Sequence, residues 1–379
     1  DIYYNFALIF ICFIYYIRFG DAKDEMNSPK SVLIVQRGQF GDMIVTTAMF
    51  RAVKKKYPNC KVSVIGSGLI NQKVLEGNPD VDEYIIWNDD VLQMVNLLRK
   101  NKYDFGCVSG PNFHSLAALY LSGIKTIAAP IIKNGWSPYE TRPYKIIRCF
   151  VIQKDHLMKQ YVPREFLKLL EPIGIYTEET KKYIYWSKEA EVKVNDFLSK
   201  IEVNYEYLVG IMPGAGNKVK QWPAKRFAEV ADYLIEKYNS LVLVIGSETN
   251  RLEINEMLST SLHKDRIIDV SWTTIDEIKA LIPKLDFTVS VDTGPVFIAE
   301  ASGVPTIDIA GSIHPLEMAP NDGEFHLLVQ SEGEPEIWTM NARILNYEKA
   351  RQQIESISVK QVSVVIDTLV TKLKNNEKS

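Results

Sequence analysis

Between residues 32 and 128, short apolar runs alternate with longer segments whose apolar positions recur at helical spacing. The runs at 32–36, 61–65, 83–86, 104–108 and 124–128 predict strands, and the segments 42–57, 69–76, 91–101 and 113–121 predict helices. Strands of this kind, without polar alternation, are those buried on both faces of a parallel sheet. Alternating units of this length therefore imply a doubly wound α/β fold. The scheme returns with strands at 207–211, 241–245, 266–268, 286–290 and 304–308 and helices at 223–238, 250–259, 274–282 and 294–302. Two Rossmann-like domains are expected.

Between the two series, residues 130–162 break the pattern with Pro130, Pro138, Pro143 and Trp136, and read as a long functional loop or irregular helices. A helix at 163–172 and a connector at 173–186 lead into the second half. A charged periodic run at 348–375 predicts a helix packing back across the domains, before a frayed end at Ser379. The expected boundaries are 1–25 for an N-terminal extension, 26–180 for the first domain, 181–345 for the second and 346–379 for the C-terminal helix and tail.

The extension is unusual. Ile2–Ile17 is almost wholly apolar or aromatic, interrupted only by Asn5 and followed by Arg18. It is shorter than the roughly 20 residues that cross a bilayer. It reads as an apolar extension or as a possible membrane anchor, and its removal is expected to leave a folded, active protein.

Composition narrows the classes. A chain of 379 residues is ample for two cores, and 46% hydrophobic with 24% charged residues is ordinary for a globular protein. A net charge of −3 gives no basic field for nucleic acid. Cys12, Cys60, Cys107 and Cys149 lie far apart, which excludes a ligand cluster and suits a reducing cytoplasm.

Candidate chemistry lies where strands end. Val32–Val35 runs into a turn with Gly38 and Gly41, and one carboxylate, Asp42, opens the following helix. Asp42 is either a general base or an N-cap. Pro213-Gly214-Ala215-Gly216 leaves another strand end, with Lys220 and Trp222-Pro223 after it. Glycines there permit close backbone approach to a diphosphate, which Lys220, or less favourably Lys218, would neutralise. Asp292-Thr293-Gly294 starts a helix directly after a strand, either as a phosphate site or as a capped turn. Glu248, just past 241–245, can accept ribose hydroxyls or is a solvated first-turn acid. Lys133, Arg142, Lys145 and Arg148, interleaved with aromatics, are either a solvated loop or a site for a phosphorylated group, which under the family resemblance given below would be that of a saccharide acceptor.

Weaker signals are set aside. Gly66-Ser67-Gly68 lacks the third glycine of a dinucleotide fingerprint, Asn71 taking that place. Asp80-Val81-Asp82 sits in a turn and is not expected to bind metal. The histidines, His156 among them, show no ligand spacing. No metal and no cofactor are expected.

Residues 32–65, 209–223 and 289–305, in this order across roughly 31–320, resemble glycosyltransferase family 9, the lipopolysaccharide heptosyltransferases. The resemblance implies GT-B architecture, two Rossmann-like domains with a cleft between them. It implies metal-independent, inverting transfer of a sugar such as heptose from an ADP-linked or other nucleotide-diphosphate donor. The acceptor would be a lipopolysaccharide-type glycolipid, met at the inner face of the cytoplasmic membrane by a cytoplasmic, peripherally bound enzyme. Gly41-Asp42 matches the family's base, Lys220 its phosphate lysine, Asp292-Thr293-Gly294 its donor motif and Glu248 its ribose contact. Phe297 departs from the family, which often has His there, and Val296 replaces a common Met. Two other readings stand beside this one: a transferase of the same fold using another nucleotide sugar for capsule or surface glycan, and a non-catalytic sugar-nucleotide-binding protein.

Overall fold

The computed structural model describes residues 2–320, 324–340 and 346–376. Asp1, the 341–345 end of the expected second domain and the last three residues of the expected frayed tail lie outside them. The chain divides into two compact units, one running to Tyr183 and one from Ile184 to Trp338 and on through the C-terminal helices; Thr339 and Met340 group with the first.

The strands of the first unit are β1 (Ser31–Val35), β2 (Lys61–Gly66), β3 (Glu83–Ile86), β4 (Phe105–Val108), β5 (Thr126–Lys133) and β6 (Ile152–Leu157). Its helices are α1 (Ile2–Phe19), α2 (Phe40–Lys56), α3 (Leu69–Leu75), α4 (Val91–Asn101), α5 (Phe113–Leu121), α6 (Arg142–Arg148) and α7 (Val162–Leu167). All pairings are parallel, in the order β3-β2-β1-β4-β5-β6. Val32, Leu33 and Ile34 are fully buried, as a central strand covered on both faces must be. Strand order reverses between β1 and β4, which opens a crevice at their carboxyl ends.

The strands of the second unit are β7 (Tyr207–Met212), β8 (Ser240–Val244), β9 (Ile267–Asp269), β10 (Phe287–Val291), β11 (Thr306–Gly311) and β12 (His326–Gln330). Its helices are α8 (Lys188–Ser199), α9 (Ala224–Tyr238), α10 (Arg251–Thr260), α11 (Ile275–Leu281), α12 (Gly294–Ala301), α13 (Tyr347–Ser356) and α14 (Val359–Asn376). The order β12-β11-β10-β7-β8-β9, again all parallel, repeats the first topology, with its reversal between β7 and β10. Two such α/β units are the domains of the GT-B class.

The elements the sequence pattern does not show have physical reasons. β6 reads Ile-Gln-Lys-Asp-His-Leu, an edge strand buried on one side only, so it carries no apolar run. β12 is the corresponding edge of the second sheet. The single expected C-terminal helix is two, because the Ile357 carbonyl leaves the helix to accept the Trp222 indole N–H at 2.9 Å. Ser358 and Gln361 then cap α14, the Ser358 N–H donating to Gln361 Oε1 at 2.8 Å. α14 packs on α9, β11 and β12 of its own unit.

Residues 2–25 are built into the first unit. Leu8, Cys12 and Ala22 join its core. Tyr120 donates its hydroxyl proton to the Gly20 carbonyl at 2.6 Å. The Ala22 N–H donates to Phe150 O at 2.7 Å, and Ile127 N–H donates back to Ala22 O at 3.1 Å. These contacts run against the expectation that the segment is dispensable for folding.

Candidate active site

In the first unit the turn after β1 is organised by side chains. Gln36 is buried; its amide donates to Thr46 Oγ1 at 3.0 Å and its carbonyl accepts the Gly38 N–H at 2.8 Å. A Cβ at Gly38 would lie 2.5 Å from the Asp42 carboxylate, so this position requires glycine. Asp42 stands in the first turn of α2, half-buried, and accepts the Gln39 N–H on Oδ2 at 2.7 Å. The capping function is thus present in the carboxylate proposed as base. Thr46 and Thr47 are buried structural hydroxyls, donating to Asp42 O at 2.7 Å and Ile44 O at 2.6 Å.

Arg37 was missed by the sequence reading, although it adjoins the glycine turn. Its guanidinium stacks over Trp87 at 4.2 Å, reaches across the crevice to Asn112 Oδ1 at 3.3 Å and Ser115 Oγ at 3.4 Å, and lies 3.6 Å from Asp89. Burial pulls its pKa down and Asp89 pulls it back up. It places a cation at the same strand ends as Asp42.

The four basic acceptor candidates separate. Lys133 is exposed at the end of β5, 3.9 Å from Asp155. Arg142 and Lys145 are exposed on α6. Arg148 is committed to Glu140, which also accepts the Ile132 N–H at 3.1 Å, so it serves the loop's own structure. Asp80 and Asp82 are likewise taken, by Arg51 and Lys54, each at 2.7 Å. His156 is buried against Phe166, and burial with the nearby Lys168 lowers its pKa to about 4, leaving it neutral.

In the second unit the β7 and β10 ends meet. Gly214 and Ala215 are buried and Gly216 is exposed. A Cβ at Gly214 would lie 2.2 Å from the Asn250 side chain. The loop tightens into a 3₁₀ turn, Lys218–Lys220, with the Asn217 side chain accepting the Val219 N–H at 3.2 Å. That turn points Lys220 at Asp292, Nζ to Oδ2 2.7 Å, while Lys218 is exposed. Trp222 is fully buried and T-stacked on Phe227, anchoring the loop to α9. Thr293, not Asp292, holds the N-cap position of α12, and no side chain caps that helix start. Asp292 is nearly buried and its Oδ1 has no partner among the described residues. Phe297 is core packing. Glu248 is exposed, 3.2 Å from Arg251 Nη2.

Asp308 is the other residue the sequence reading missed; its signal is a lone acid inside the apolar run Thr-Ile-Asp-Ile-Ala. It lies in β11 in register with Ser290 of β10, two residues short of Asp292. It is fully buried and neither carboxylate oxygen has a hydrogen-bond partner among the described residues. Burial, then the Asp292 charge, raise its pKa well above the ordinary carboxylate range, against the pull of Lys220. Two carboxylates face one ammonium, so one of them keeps its proton. Among the described residues, no group of three or more His, Cys, Asp or Glu side chains is placed to hold a metal ion.

The family model for glycosyltransferase family 9 (heptosyltransferase) matches residues 91–337. Lipopolysaccharide heptosyltransferase 3 of Escherichia coli K12 is 25% identical over 289 residues, covering 72% of this chain and 80% of that protein. A glycosyl transferase family 9 structure from Veillonella parvula superposes with a TM-score of 0.76 at 19% identity, covering 92% of this chain and 99% of that one. The E. coli ADP-heptose lipopolysaccharide heptosyltransferase II structure gives a TM-score of 0.70 at 18% identity, covering 91% and 99%.

Proposed function

The chain belongs to glycosyltransferase family 9 and is a glycosyltransferase, and from that premise we propose that it transfers a heptose-type sugar from a nucleotide-diphosphate donor to a lipopolysaccharide-type acceptor. The observation that carries this reading is the Lys220–Asp292 pair at the β7/β10 crevice, beside the uncapped start of α12. Backbone amides at a helix start and a lysine together match a diphosphate. One structural neighbour, the E. coli protein, is an ADP-heptose heptosyltransferase, which makes an ADP-linked sugar the first donor to try.

In this reading Lys220 and the α12 amides stabilise the departing nucleoside diphosphate as charge develops on it. Asp292 Oδ1 is an open acceptor for a sugar hydroxyl of the donor. Asp42 takes the proton of the acceptor hydroxyl, and inversion follows from a single displacement at the sugar carbon. Glu248 is the ribose contact, and Arg142 and Lys145 with Lys133 meet the acceptor's phosphates. The reaction uses no metal, because lysine and amides supply the positive charge. The enzyme works at the inner face of the cytoplasmic membrane, where a lipid-borne acceptor is presented.

A thermal-shift series with ADP, UDP, GDP and their sugar conjugates tests the donor side, since a ligand of the native state raises its melting temperature. Stabilisation by ADP and an ADP-sugar, unchanged by EDTA, is the expected result. No shift with any nucleotide at millimolar concentration overturns the reading. A shift without sugar release or transfer leaves a binding protein.

A further inference from the structure

One element is not used by the chemistry above. α1 packs one side onto α5 and α6: Leu8 and Cys12 are buried, Tyr15 meets Tyr120 edge-on at 5.4 Å, and Tyr16 stacks on Phe150 at 4.5 Å. Asn5 Oδ1 meets His114 Nε2 at 2.8 Å, which puts the start of α1 beside the start of α5, at the carboxyl ends of the strands. The opposite side carries Tyr3, Phe6, Phe10, Phe13 and Ile17, recurring at helical spacing along its whole length. They are strongly exposed, Tyr3 at 89%, Phe6 at 73% and Ile17 at 71%. The positions flanking this stripe, Ala7, Ile11 and Ile14, are apolar and exposed as well.

We infer that this face of α1 docks the first unit in the plane of an anionic lipid bilayer. Three observations favour lipid over a second copy of the chain. A seam between two protein copies carries a polar rim, and this face has none between Tyr3 and Ile17. The exposed side is rich in aromatic rings, which suit the boundary between headgroups and acyl chains. Basic groups lie beside it: Arg18 in its last turn, Lys125 3.4 Å from the Phe19 carbonyl, and Arg142 and Lys145 exposed on α6, which α1 contacts. Of the nearby acids, Glu140 and Asp21 are engaged by Arg148 and Lys23, while Asp24 and Glu25 are exposed on the segment that leaves α1, Asp24 donating its N–H to the Lys125 carbonyl at 3.3 Å.

The helix lies on the membrane rather than through it. One side is already held by the domain, through the buried Leu8 and Cys12. No helix among the described residues is long and apolar enough to cross a membrane. This inference deepens the lipid-borne acceptor reading and rests on it for the purpose of docking: Arg142 and Lys145 then lie at the lipid surface, where the acceptor's headgroup would be.

Co-sedimentation of the full chain with phosphatidylcholine vesicles, with and without one quarter phosphatidylglycerol, tests it. Binding to the anionic vesicles is expected, at least 10-fold weaker for the combined Phe6→Ser, Phe10→Ser and Phe13→Ser variant. The Phe13→Trp variant should show blue-shifted emission quenched by brominated lipid. Wild-type protein remaining in the supernatant with both vesicles, or a triple variant that partitions like wild type, overturns the inference. So does light scattering that shows a wild-type dimer reduced to monomer by the triple variant, which assigns the face to a second copy. Nucleotide thermal shifts on the triple variant report its folding. They also separate the two proposals, since vesicle binding without any nucleotide shift sinks the nucleotide-diphosphate donor reading and leaves the docking face standing.

Discussion

The two units share one topology and furnish its crevice, one in each sheet, in opposite ways. At the β1/β4 reversal, Arg37 spans the gap to Asn112 and Ser115, Asn112 caps α5, and Asp42 caps α2. Both helix starts are closed by side chains. At the β7/β10 reversal the gap is spanned by the Lys220–Asp292 ion pair, a buried acid stands behind it, and the start of α12 has no side-chain cap. A strand order that creates a crevice says where a ligand sits, and the caps say which charge it carries. Each closed start has one N–H engaged, that of Gln39 by Asp42 and that of Ser115 by Asn112, and in the function proposed above the first crevice offers a base and a cation to a hydroxyl-bearing acceptor. Open amides with a lysine suit an anion.

The sharpest way to break this contrast is at Asp42. Asp42→Asn can still accept the Gln39 N–H, while Asp42→Ala cannot. If the carboxylate is a base, both variants lose about 10²–10⁴-fold in turnover with nucleotide affinity nearly unchanged. If it is only a cap, the Asn variant works like wild type and the Ala variant loses about 0.5–2 kcal/mol of stability. Turnover and urea denaturation of the two variants decide between them.

The buried titratable groups extend the comparison: in unit one burial lowers the proton affinity of a histidine, and in unit two it raises that of an acid. His156 has its pKa lowered to about 4 by burial and Lys168, against 6.5 when exposed. The unfolded chain therefore binds the extra proton first, and this contribution to stability is lost as pH falls from 6.5 toward 4. The loss is of order 3 kcal/mol at most. Urea unfolding of wild type and His156→Gln at pH 7 and pH 5, followed by β6 amide exchange, should show a steeper acid loss in the wild type. Equal slopes would mean that His156 takes up its proton as readily in the native state as in the unfolded chain.

Lys220 tests the second crevice. Lys220→Ala should weaken nucleoside-diphosphate binding by about 1.5–3 kcal/mol, roughly 10- to 150-fold, while Lys218→Ala changes it little. The reason is position: the 3₁₀ turn aims Lys220 at Asp292 and leaves Lys218 exposed. Titration calorimetry with ADP on both variants measures this. Equal small effects would assign the phosphate to the backbone amides alone.

The sequence carries the strand ends well and their partners poorly. Gly38, Asp42, Gly214, Lys220 and Asp292 stand beside turns at the ends of apolar runs, so local pattern singles out their positions, while the roles proposed for them come from the family resemblance. That Lys220 meets Asp292 depends on β7 lying against β10, which no local pattern contains. The same holds for Arg37, whose partners Asn112 and Ser115 belong to the neighbouring strand's connection. β6 and β12 escape notice because edge strands need no continuous apolar run. The break between α13 and α14 was legible in Ser358-Val-Lys-Gln361, a capping box, although its cause, the Trp222 indole on the Ile357 carbonyl, is tertiary.

Asp308 gives the most diagnostic effect, a slope with pH rather than a loss of function. It is buried with no partner for either oxygen among the described residues, and Asp292 beside it raises its pKa further. A raised acid holds its proton in the native state after the unfolded chain has lost its own. Its contribution to stability is therefore complete below the ordinary carboxylate pKa of 3.8 and declines as pH rises toward the folded value. The slope is at most about 1.4 kcal/mol per pH unit. Asp308→Asn has nothing to ionise, so it should match wild type near pH 4 and exceed it by a growing margin at higher pH. Hydrogen exchange of β10 and β11 amides reads this locally, where opening of the second sheet is not confused with loss of the first unit. Identical exchange slopes in the two proteins would place the proton elsewhere, and the buried acid would then be a charged partner of Lys220 rather than a neutral neighbour of Asp292.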